Sequence, residues 1–405
     1  MGLLRVLTFL HSFEPGGVER VALRLVRQWR DMGVDAPLFV GRSDGALRSE
    51  LAGDLAHDVP ARRRWTAALE TLWMIWNLPD AILASEPDVL FCAGNTYTIV
   101  VIAMKLLLGR RCPPVVAKVS NELTRPGQSK ALRLLFAAWG WLQSCSVDSW
   151  VVMHPAMRDD VARLHPSTPV AVIPDPALTL SQIDCLRDWR PRNGGPGGRR
   201  FVALGRLVPQ KNYDLLLRAF AAGAAPGDRL TIYGDGNSRV SLERLASQLG
   251  IAANVTFAGH VAHSSACLVG HDSLLMTSHF EGIPATLVEG MTCGMPVVVT
   301  DCGVGVRALV DDYRGGTLVS RGDVAAFAAA ISAQAPGGAP AAPFDAELYT
   351  IEAGAVAYAD VFHKVRRRSS PALAHAVSIE RRDAALDHGL AAQAHGAPSD
   401  RAGSV

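Results

Sequence analysis

Residues 273–300 read SLLMTSHFEGIPATLVEGMTCGMPVVVT, and how this stretch divides decides the fold. Ser273–Thr277 and Pro296–Thr300 are short apolar runs without polar alternation, as expected of strands covered on both faces. Between them Pro284 suits the first turn of a helix that would hold Glu289. A strand, a helix and a second strand of this kind make a parallel βαβ unit, because parallel neighbours need a crossover. Working outward, the same alternation runs along the whole chain. Apolar runs recur at Leu3–Leu10, Pro37–Val40, Val89–Cys92, Val115–Val119, Trp150–Met153 and Val170–Ile173, then at Phe201–Leu204, Leu230–Tyr233, Val255–Phe257 and Thr317–Val319. The pattern predicts an α/β protein with two Rossmann-like, doubly wound parallel sheets facing a cleft.

The bulk numbers agree. A length of 405 residues suits two α/β cores better than one. With 49% hydrophobic and 19% charged residues, disorder over most of the chain is excluded. A net charge of +2, from 40 Lys and Arg against 38 Asp and Glu, gives no basic excess for nucleic acid. Seven scattered cysteines without Cys-x-x-Cys fit a reduced, cytosolic setting. Met1–Leu10, interrupted by Arg5, reads as a first strand and not as a signal peptide.

The expected organisation is a first domain over 1–185, a Pro/Gly-rich hinge over 186–198, a second domain over 199–343, a helix over 344–366 that crosses back to the first domain, and a disordered tail over 367–405. In the first helix Val18, Val21, Ala22, Leu25, Trp29 and Met32 share one face, Arg20, Arg24, Arg27 and Arg30 lie elsewhere, and Gly33 ends it.

In open parallel sheets ligands bind beyond the carboxyl ends of the strands, so the loops there carry the functional reading. Gly16-Gly17, before the first helix, fits either backbone approach to an anion or an ordinary tight turn. Gly205-Arg206-Leu-Val-Pro-Gln-Lys211-Asn212 puts two cations at a helix start, fitting a diphosphate or two solvated surface charges. Gly234-Asp235-Gly236 reads as a turn. Glu281 in an entry loop and Glu289 inside the helix stand on the order of 10 Å apart, room for one to take sugar hydroxyls and the other a ribose. The amides of Ile283 to Thr286 would face phosphates between them.

Together the Gly16-Gly17-x-Glu19 turn, Gly205-Arg206-Leu with Lys211-Asn212, Gly234-Asp-Gly236, Gly259-His260, and Glu281 and Glu289 followed by Cys293-Gly-Met-Pro resemble glycosyltransferase family 4. That family comprises retaining, nucleotide-sugar-dependent enzymes of the GT-B fold, and the likeness runs from about residue 3 to 365. Asp301-Cys-Gly-Val-Gly-Val-Arg307 is similar to a stretch in members that build bacterial surface polysaccharides. The resemblance implies catalytic roles for Glu281, Arg206 and Lys211, and a donor site of Gly16, Gly17, Arg206, Lys211, Glu281, Gly282, Ile283, Pro284, Ala285 and Glu289. It implies no cofactor and no metal, a nucleotide-diphosphate sugar as co-substrate, and a glycan or lipid-linked oligosaccharide as acceptor. Asn121 or Glu122 stands where many relatives carry a sugar-site His, and Asp175 where Asn is usual. His154 and His260 are expected in structural roles.

Two alternatives remain at this level. A catalytically silent nucleotide-sugar-binding partner would keep the same residues. Gly303-Val-Gly305-Val-Arg-Ala308, with Asp323 beyond, fits a dinucleotide fingerprint and an NAD-dependent oxidoreductase. This ranks lower because only about six residues lead from Gly305 to Asp311-Asp312, too few for the usual crossover helix, and because it leaves the Arg206/Lys211 loop and the paired glutamates unexplained. Finally, residues 101–142 hold seven basic side chains and one acid among leucines and tryptophans, and Arg62–Arg64 precede Trp65, Trp73 and Trp76. Such a surface suits either an anionic membrane or a solvated basic face over core tryptophans.

Overall fold

The computed structural model describes residues 3–60, 69–120, 130–187, 198–261, 264–335 and 344–369, with backbone alone for 130–137 and 264. The described residues form two six-stranded sheets, parallel throughout. The first contains β1 (Val6–Leu10), β2 (Leu38–Val40), β3 (Val89–Cys92), β4 (Val115–Lys118), β5 (Ser149–Val152) and β6 (Val170–Val172) in the order β2-β1-β3-β4-β5-β6. The second contains β7 (Arg200–Leu204), β8 (Arg229–Tyr233), β9 (Val255–Gly259), β10 (Ser273–Met276), β11 (Val297–Thr300) and β12 (Gly316–Val319) in the order β12-β11-β10-β7-β8-β9. Every apolar run of the sequence becomes a strand. β1 to β5, β7, β10 and β11 are buried along nearly their whole length, which is why they lack polar alternation.

The helices are α1 (Gly17–Asp31), α2 (Leu47–Leu51), α3 (Glu70–Ser85), α4 (Thr98–Leu108), α5 (Lys130–Ser146), α6 (Arg158–Leu164) and α7 (Leu180–Arg187), then α8 (Tyr213–Gly223), α9 (Arg239–Gln248), α10 (Ala285–Thr292), α11 (Val304–Asp312), α12 (Val324–Ser332) and α13 (Ile351–Ser369). Right-handed crossovers decide which face each covers. The step from β1 to β2 runs opposite to the steps from β2 through β5, so α1 lies on one face of the first sheet and α3, α4 and α5 on the other.

α13 leaves the second half of the chain and packs beside α1 against β3 and β4. Leu178 and the 349–351 segment guide it there, with Leu178 N–H donating to Tyr349 O (3.1 Å) and Ile351 N–H to Leu178 O (2.7 Å). Trp29, Phe91, Tyr358 and Phe362 then form an aromatic cluster with ring centroids 5.1–6.0 Å apart, edge-to-face except for the tilted pair Tyr358–Phe362, and Trp29 Nε1 donates to Ala355 O at 3.1 Å. At the far end Arg366 pairs with Asp88 at 3.1 Å. The helix continues through Arg367 and Arg368, and residues 370–405 lie outside the described residues. α7 occupies the first two positions of the expected hinge, with Leu186 buried, and 188–197 lie outside the described residues.

Two expectations are corrected. Met32 is not on the buried face of α1: the helix stops at Asp31, Met32 is its C-cap, and 41% of it is exposed. The segment after Gly303 is long enough for a crossover helix, since α11 starts immediately after that glycine and takes nine residues. Its length therefore does not count against the dinucleotide fingerprint. No described helix is long and apolar enough to cross a membrane.

The aromatic seal generates a stability prediction. Trp29→Ala should lower the unfolding free energy by about 3–5 kcal/mol, as for large buried aromatics elsewhere. Arg366→Ala, whose ion pair is partly solvated, should cost less than about 1 kcal/mol. Urea denaturation of both variants measures the difference, and equal effects would mean that α13 is not held by its apolar face.

Candidate functional site

In each sheet the strand order reverses once, between β1 and β3 and between β7 and β10. Loops leaving adjacent strands in opposite directions open a crevice between them. In the second sheet those loops are 205–212 and 277–284, and they are laced together. His279 N–H donates to Gln210 O (2.8 Å), Gln210 Nε2 to Phe280 O (3.0 Å), and Thr277 Oγ1 to the carbonyls of Lys211 and Asn212 (3.1 and 3.0 Å). This lacing brings Lys211 Nζ to 2.6 Å from Glu281 Oε1. The two side chains are 18% and 11% exposed, so water screens this pair less than a surface pair.

Arg206, on the same loop, is exposed and makes no side-chain hydrogen bond or ion pair among the described residues. The Gly234 turn closes the loop from behind. A Cβ there would fall 2.0 Å from Gly205 O, and φ is +138°, so only glycine fits. Asp235 serves that turn, accepting from Gly236 N–H at 2.8 Å.

α10 begins after Pro284, which is its N-cap, with Ala285 and Thr286 partly exposed at the helix start and Glu281 to Pro284 buried. Glu289 lies one turn further in and is 3% exposed. The hydrogen bond described for it leads away from the Lys211–Glu281 pair. Instead Ser265 Oγ donates to Glu289 Oε1 (3.3 Å), Gln182 Nε2 to Ser265 Oγ (3.4 Å), and Arg24 Nη1 to Gln182 Oε1 (3.5 Å) and Ala177 O (2.8 Å). A polar chain thus runs from α1 through α7 to α10. Burial lowers the Arg24 pKa, and Arg20 adds to this, while the charge of Glu289 opposes it.

The two sheets meet across the cleft at short range. A Cβ on Gly282 would fall 2.3 Å from Ser120 O and 2.4 Å from Met153 Cε. Next to it, a Cβ on Gly305 would meet Met157 Sδ at 3.0 Å. Two histidines bridge as well: His260 Nε2 lies 3.1 Å from Glu50 Oε1, and His154 Nε2 3.4 Å from Asp312 Oδ2. Burial raises the Glu50 carboxyl, but hydrogen bonds from His260 and Arg20 outweigh it and leave the pKa below its ordinary value. Gly16 is the N-cap of α1, and a Cβ there would fall 1.9 Å from Glu19 Oε2, while Gly17 has open space around it. Glu19 Oε1 in turn accepts from Tyr97 Oη at 2.6 Å, beside the first sheet's reversal point.

Of the residues singled out by sequence, the fold pairs Lys211 with Glu281, keeps Arg206 on the same rim, and sets Gly282 against the first domain. Ile283, Pro284 and Ala285 form the entry to α10, with Glu289 apart from them in its own polar chain. Asn121 and Glu122 lie outside the described residues. Asp175, where the family pattern has Asn, is buried against Lys118, which is buried too. A carboxylate there answers a buried ammonium that an amide could not neutralise.

The residues missed by sequence were Arg20, Arg24, Glu50, Tyr97, Gln182 and Ser265. Arg20 and Arg24 had a readable signal, an i, i+4 pair one turn into the helix after Gly16-Gly17. The other four are recognisable only from contacts between distant segments.

Comparison with known proteins fits this geometry. Residues 15–176 match the family model described as Glycosyltransferase Family 4, and residues 198–334 that described as Glycosyl transferases group 1. The lipopolysaccharide core biosynthesis glycosyltransferase LpsE of Rhizobium meliloti is 34% identical over 130 residues, 32% of this chain and 37% of that protein. The D-inositol 3-phosphate glycosyltransferase of Mycobacterium tuberculosis is 36% identical over 188 residues, 43% of this chain and 38% of that protein. The chain therefore matches less than two-fifths of the length of these curated relatives. Among solved structures, Anabaena Alr3699/HepE in complex with UDP-glucose superposes with a TM-score of 0.63 at 19% identity, covering 93% of this chain and 99% of that one. The apo form of the lipopolysaccharide outer core galactosyltransferase WaaB gives 0.58 at 17% identity, covering 90% and 99%. The shared architecture is the GT-B fold.

The tight approach at Gly282 is testable. Gly282→Ala places a methyl group where the Ser120 carbonyl stands, so the two domains should separate and the radius of gyration from X-ray scattering should rise. Gly17→Ala, which meets nothing within 4 Å, is the control. An unchanged radius in Gly282→Ala would show that this contact does not hold the cleft closed.

Proposed function

Because this chain belongs to glycosyltransferase family 4, we propose that it transfers a hexosyl unit from a nucleotide-diphosphate sugar to a glycan acceptor, with retention at the anomeric carbon. The observation that carries this reading is the partly buried Lys211–Glu281 pair at the reversal point of the second sheet, with Arg206 and the open start of α10 beside it. A departing diphosphate needs its growing negative charge met by groups already in place. Arg206 can fork two phosphate oxygens, Lys211 adds a point charge, and the first amides of α10 add the positive end of a helix dipole. Glu281 would accept donor-sugar hydroxyls while holding Lys211, and Glu289 would accept those of the ribose. Gly16 and Gly17 would bring first-domain amides to the phosphates. Charge neutralisation by these cations calls for no metal, so chelation by EDTA should leave the rate unchanged.

The acceptor in this reading is lipid-linked and the product belongs to a cell-surface polysaccharide, in line with the similarity to a lipopolysaccharide core enzyme. The enzyme would then work in the cytoplasm at the inner face of the membrane.

Thermal unfolding with UDP-, GDP- and ADP-sugars tests the donor class. A true donor at a hundred times its Kd should add about 2.7 kcal/mol of stability, whereas NAD stabilisation without any nucleotide-sugar effect would favour the oxidoreductase. Glu281→Ala should lower kcat by about a hundredfold or more, the scale of losing one placed polar group at a reacting centre. Full activity in that variant would sink the site assignment. Donor binding without turnover on any glycan would favour the catalytically silent partner.

A further inference from the structure

The polar line from α1 to α10 ends on the carboxylate that the proposed function gives to the ribose, and the donor and acceptor rules of its members give it one direction. Thr179 N–H and the Arg24 guanidinium can only donate, so the oxygen of the Gln182 amide is the atom that faces them, at 2.9 and 3.5 Å. Gln182 Nε2 then points across to Ser265, whose Oγ accepts from it at 3.4 Å. The hydroxyl hydrogen of Ser265 is left for Glu289 Oε1 at 3.3 Å, because a carboxylate only accepts. Every link therefore donates towards Glu289, and dipoles aligned in this way reinforce one another where the dielectric is low. Ser265 and Glu289 are 8% and 3% exposed, so water competes little for the last link.

The charges agree with that direction. The thiols beside Glu289 supply no positive charge: burial first, and the charge of Glu289 second, raise both Cys267 and Cys293 above the ordinary thiol range. Of the carboxylates whose charge acts on Arg24, Glu289 comes before Glu352 and Glu50, although it belongs to the other domain. The lengths differ along the line. Its origin is pinned by short bonds, Arg24 Nη1 to Ala177 O at 2.8 Å and Thr179 N–H to Gln182 Oε1 at 2.9 Å. The three links from Arg24 to Glu289 measure 3.5, 3.4 and 3.3 Å, at the long end for hydrogen bonds. A fixed origin with slack links can orient a carboxylate and still let it move onto a ligand.

We propose that Arg24, Gln182 and Ser265 are positioning residues for the ribose of the nucleotide. They keep the Glu289 carboxylate ionised and turned to accept the vicinal ribose hydroxyls, and so set a preference for a ribonucleotide over its 2′-deoxy form. A carboxylate has about four acceptor sites, of which Ser265 takes one, so the diol can still be met by two. This deepens the proposed function and rests on its assignment of Glu289 to the ribose. Ribose recognition in the second domain then depends on side chains of α1 and α7, which lie outside the donor-binding sheet.

Isothermal titration of the full chain with UDP, GDP and ADP, each beside its 2′-deoxy counterpart, reads the preference as a ratio of Kd values. The parent should bind the ribonucleotide of its own base about tenfold or more tightly than the deoxy form, because a hydrogen bond to a charged group is at stake. Gln182→Glu is the decisive variant. Its carboxylate still accepts from Arg24 and Thr179, so the melting temperature should be held, but it cannot donate to Ser265, whose hydroxyl would turn away from Glu289. The ratio should fall by about threefold to tenfold, and Ser265→Ala should lower it by a similar factor. Equal weakening of both nucleotides, with the ratio intact, would mark a merely structural role and overturn the proposal. Glu289→Gln separates that failure from failure of the underlying reading. If Glu289→Gln loses the ratio while the other two variants keep it, the positioning role is overturned and Glu289 remains the ribose group. If Glu289→Gln keeps the ratio, or the parent shows none, the ribose assignment fails and the proposal with it.

Discussion

A parallel sheet offers few places where two loops from different strands can face each other with nothing between them, and each sheet here offers one. That constraint locates the polar chemistry of the molecule. Where the order turns between β7 and β10, the backbone of Gln210 and His279 ties the two loops, and the side chains of Lys211 and Glu281 follow. Where it turns between β1 and β3, Tyr97 and Glu19 meet by the same logic. The first pairing also relies on unusual backbone, with Gly234 at φ +138° behind the loop and Asn212 at φ +51° beside Lys211. Each results from strand order, which sets the neighbours, and from right-handed crossovers, which send the helices away and leave the loop ends bare.

The second condition is the close seating of one sheet domain on the other. Glycine at 282 lets backbone stand almost on backbone at Ser120. Around that contact lie polar bridges of very different character. His260, Glu50 and Arg20 are partly solvated and can be rearranged at modest cost, whereas Lys118 and Asp175 lie sealed beneath the first sheet's end. Breaking a buried pair leaves a lone charge away from water, so that pair maintains the shape of the first domain, and the exposed bridges are suited to opening and closing. The chain from Arg24 to Glu289 spans both kinds of environment. It ties a carboxylate of one domain to a helix of the other, so any movement between the domains changes the electrostatic surroundings of Glu289.

The same sheet of the first domain is closed on one side and open on the other. α13 buries Tyr358 and Phe362 against Trp29 and Phe91, which removes a large apolar area from water, while α3, α4 and α5 leave Trp76, Leu106 and Trp141 outside. The near-neutral charge of the whole chain conceals a local bias in sequence, because it averages the basic, tryptophan-bearing stretch 101–142 with acidic residues elsewhere.

The amino-acid sequence by itself determined both sheets, all twelve strands, and the approximate start of α10 and α1. Apolar runs, helical periodicity and Gly or Pro at the ends are local signals, and the backbone obeys them locally. It also marked Arg206, Lys211, Glu281 and Glu289 as candidates, because they sit in strand-to-helix loops or one turn beyond. The errors were local too: Met32 lay one residue past the helix end, and the nine residues of α11 were undercounted as a crossover. Only the tertiary structure decided that Lys211 would bind Glu281 while Glu289 would answer to Ser265, Gln182 and Arg24. The same holds for Asp175 against Lys118, across 57 residues of sequence. Such partners are chosen by strand order and domain seating. Two side chains far apart in the chain carry no mark of each other until the backbone between them has been placed.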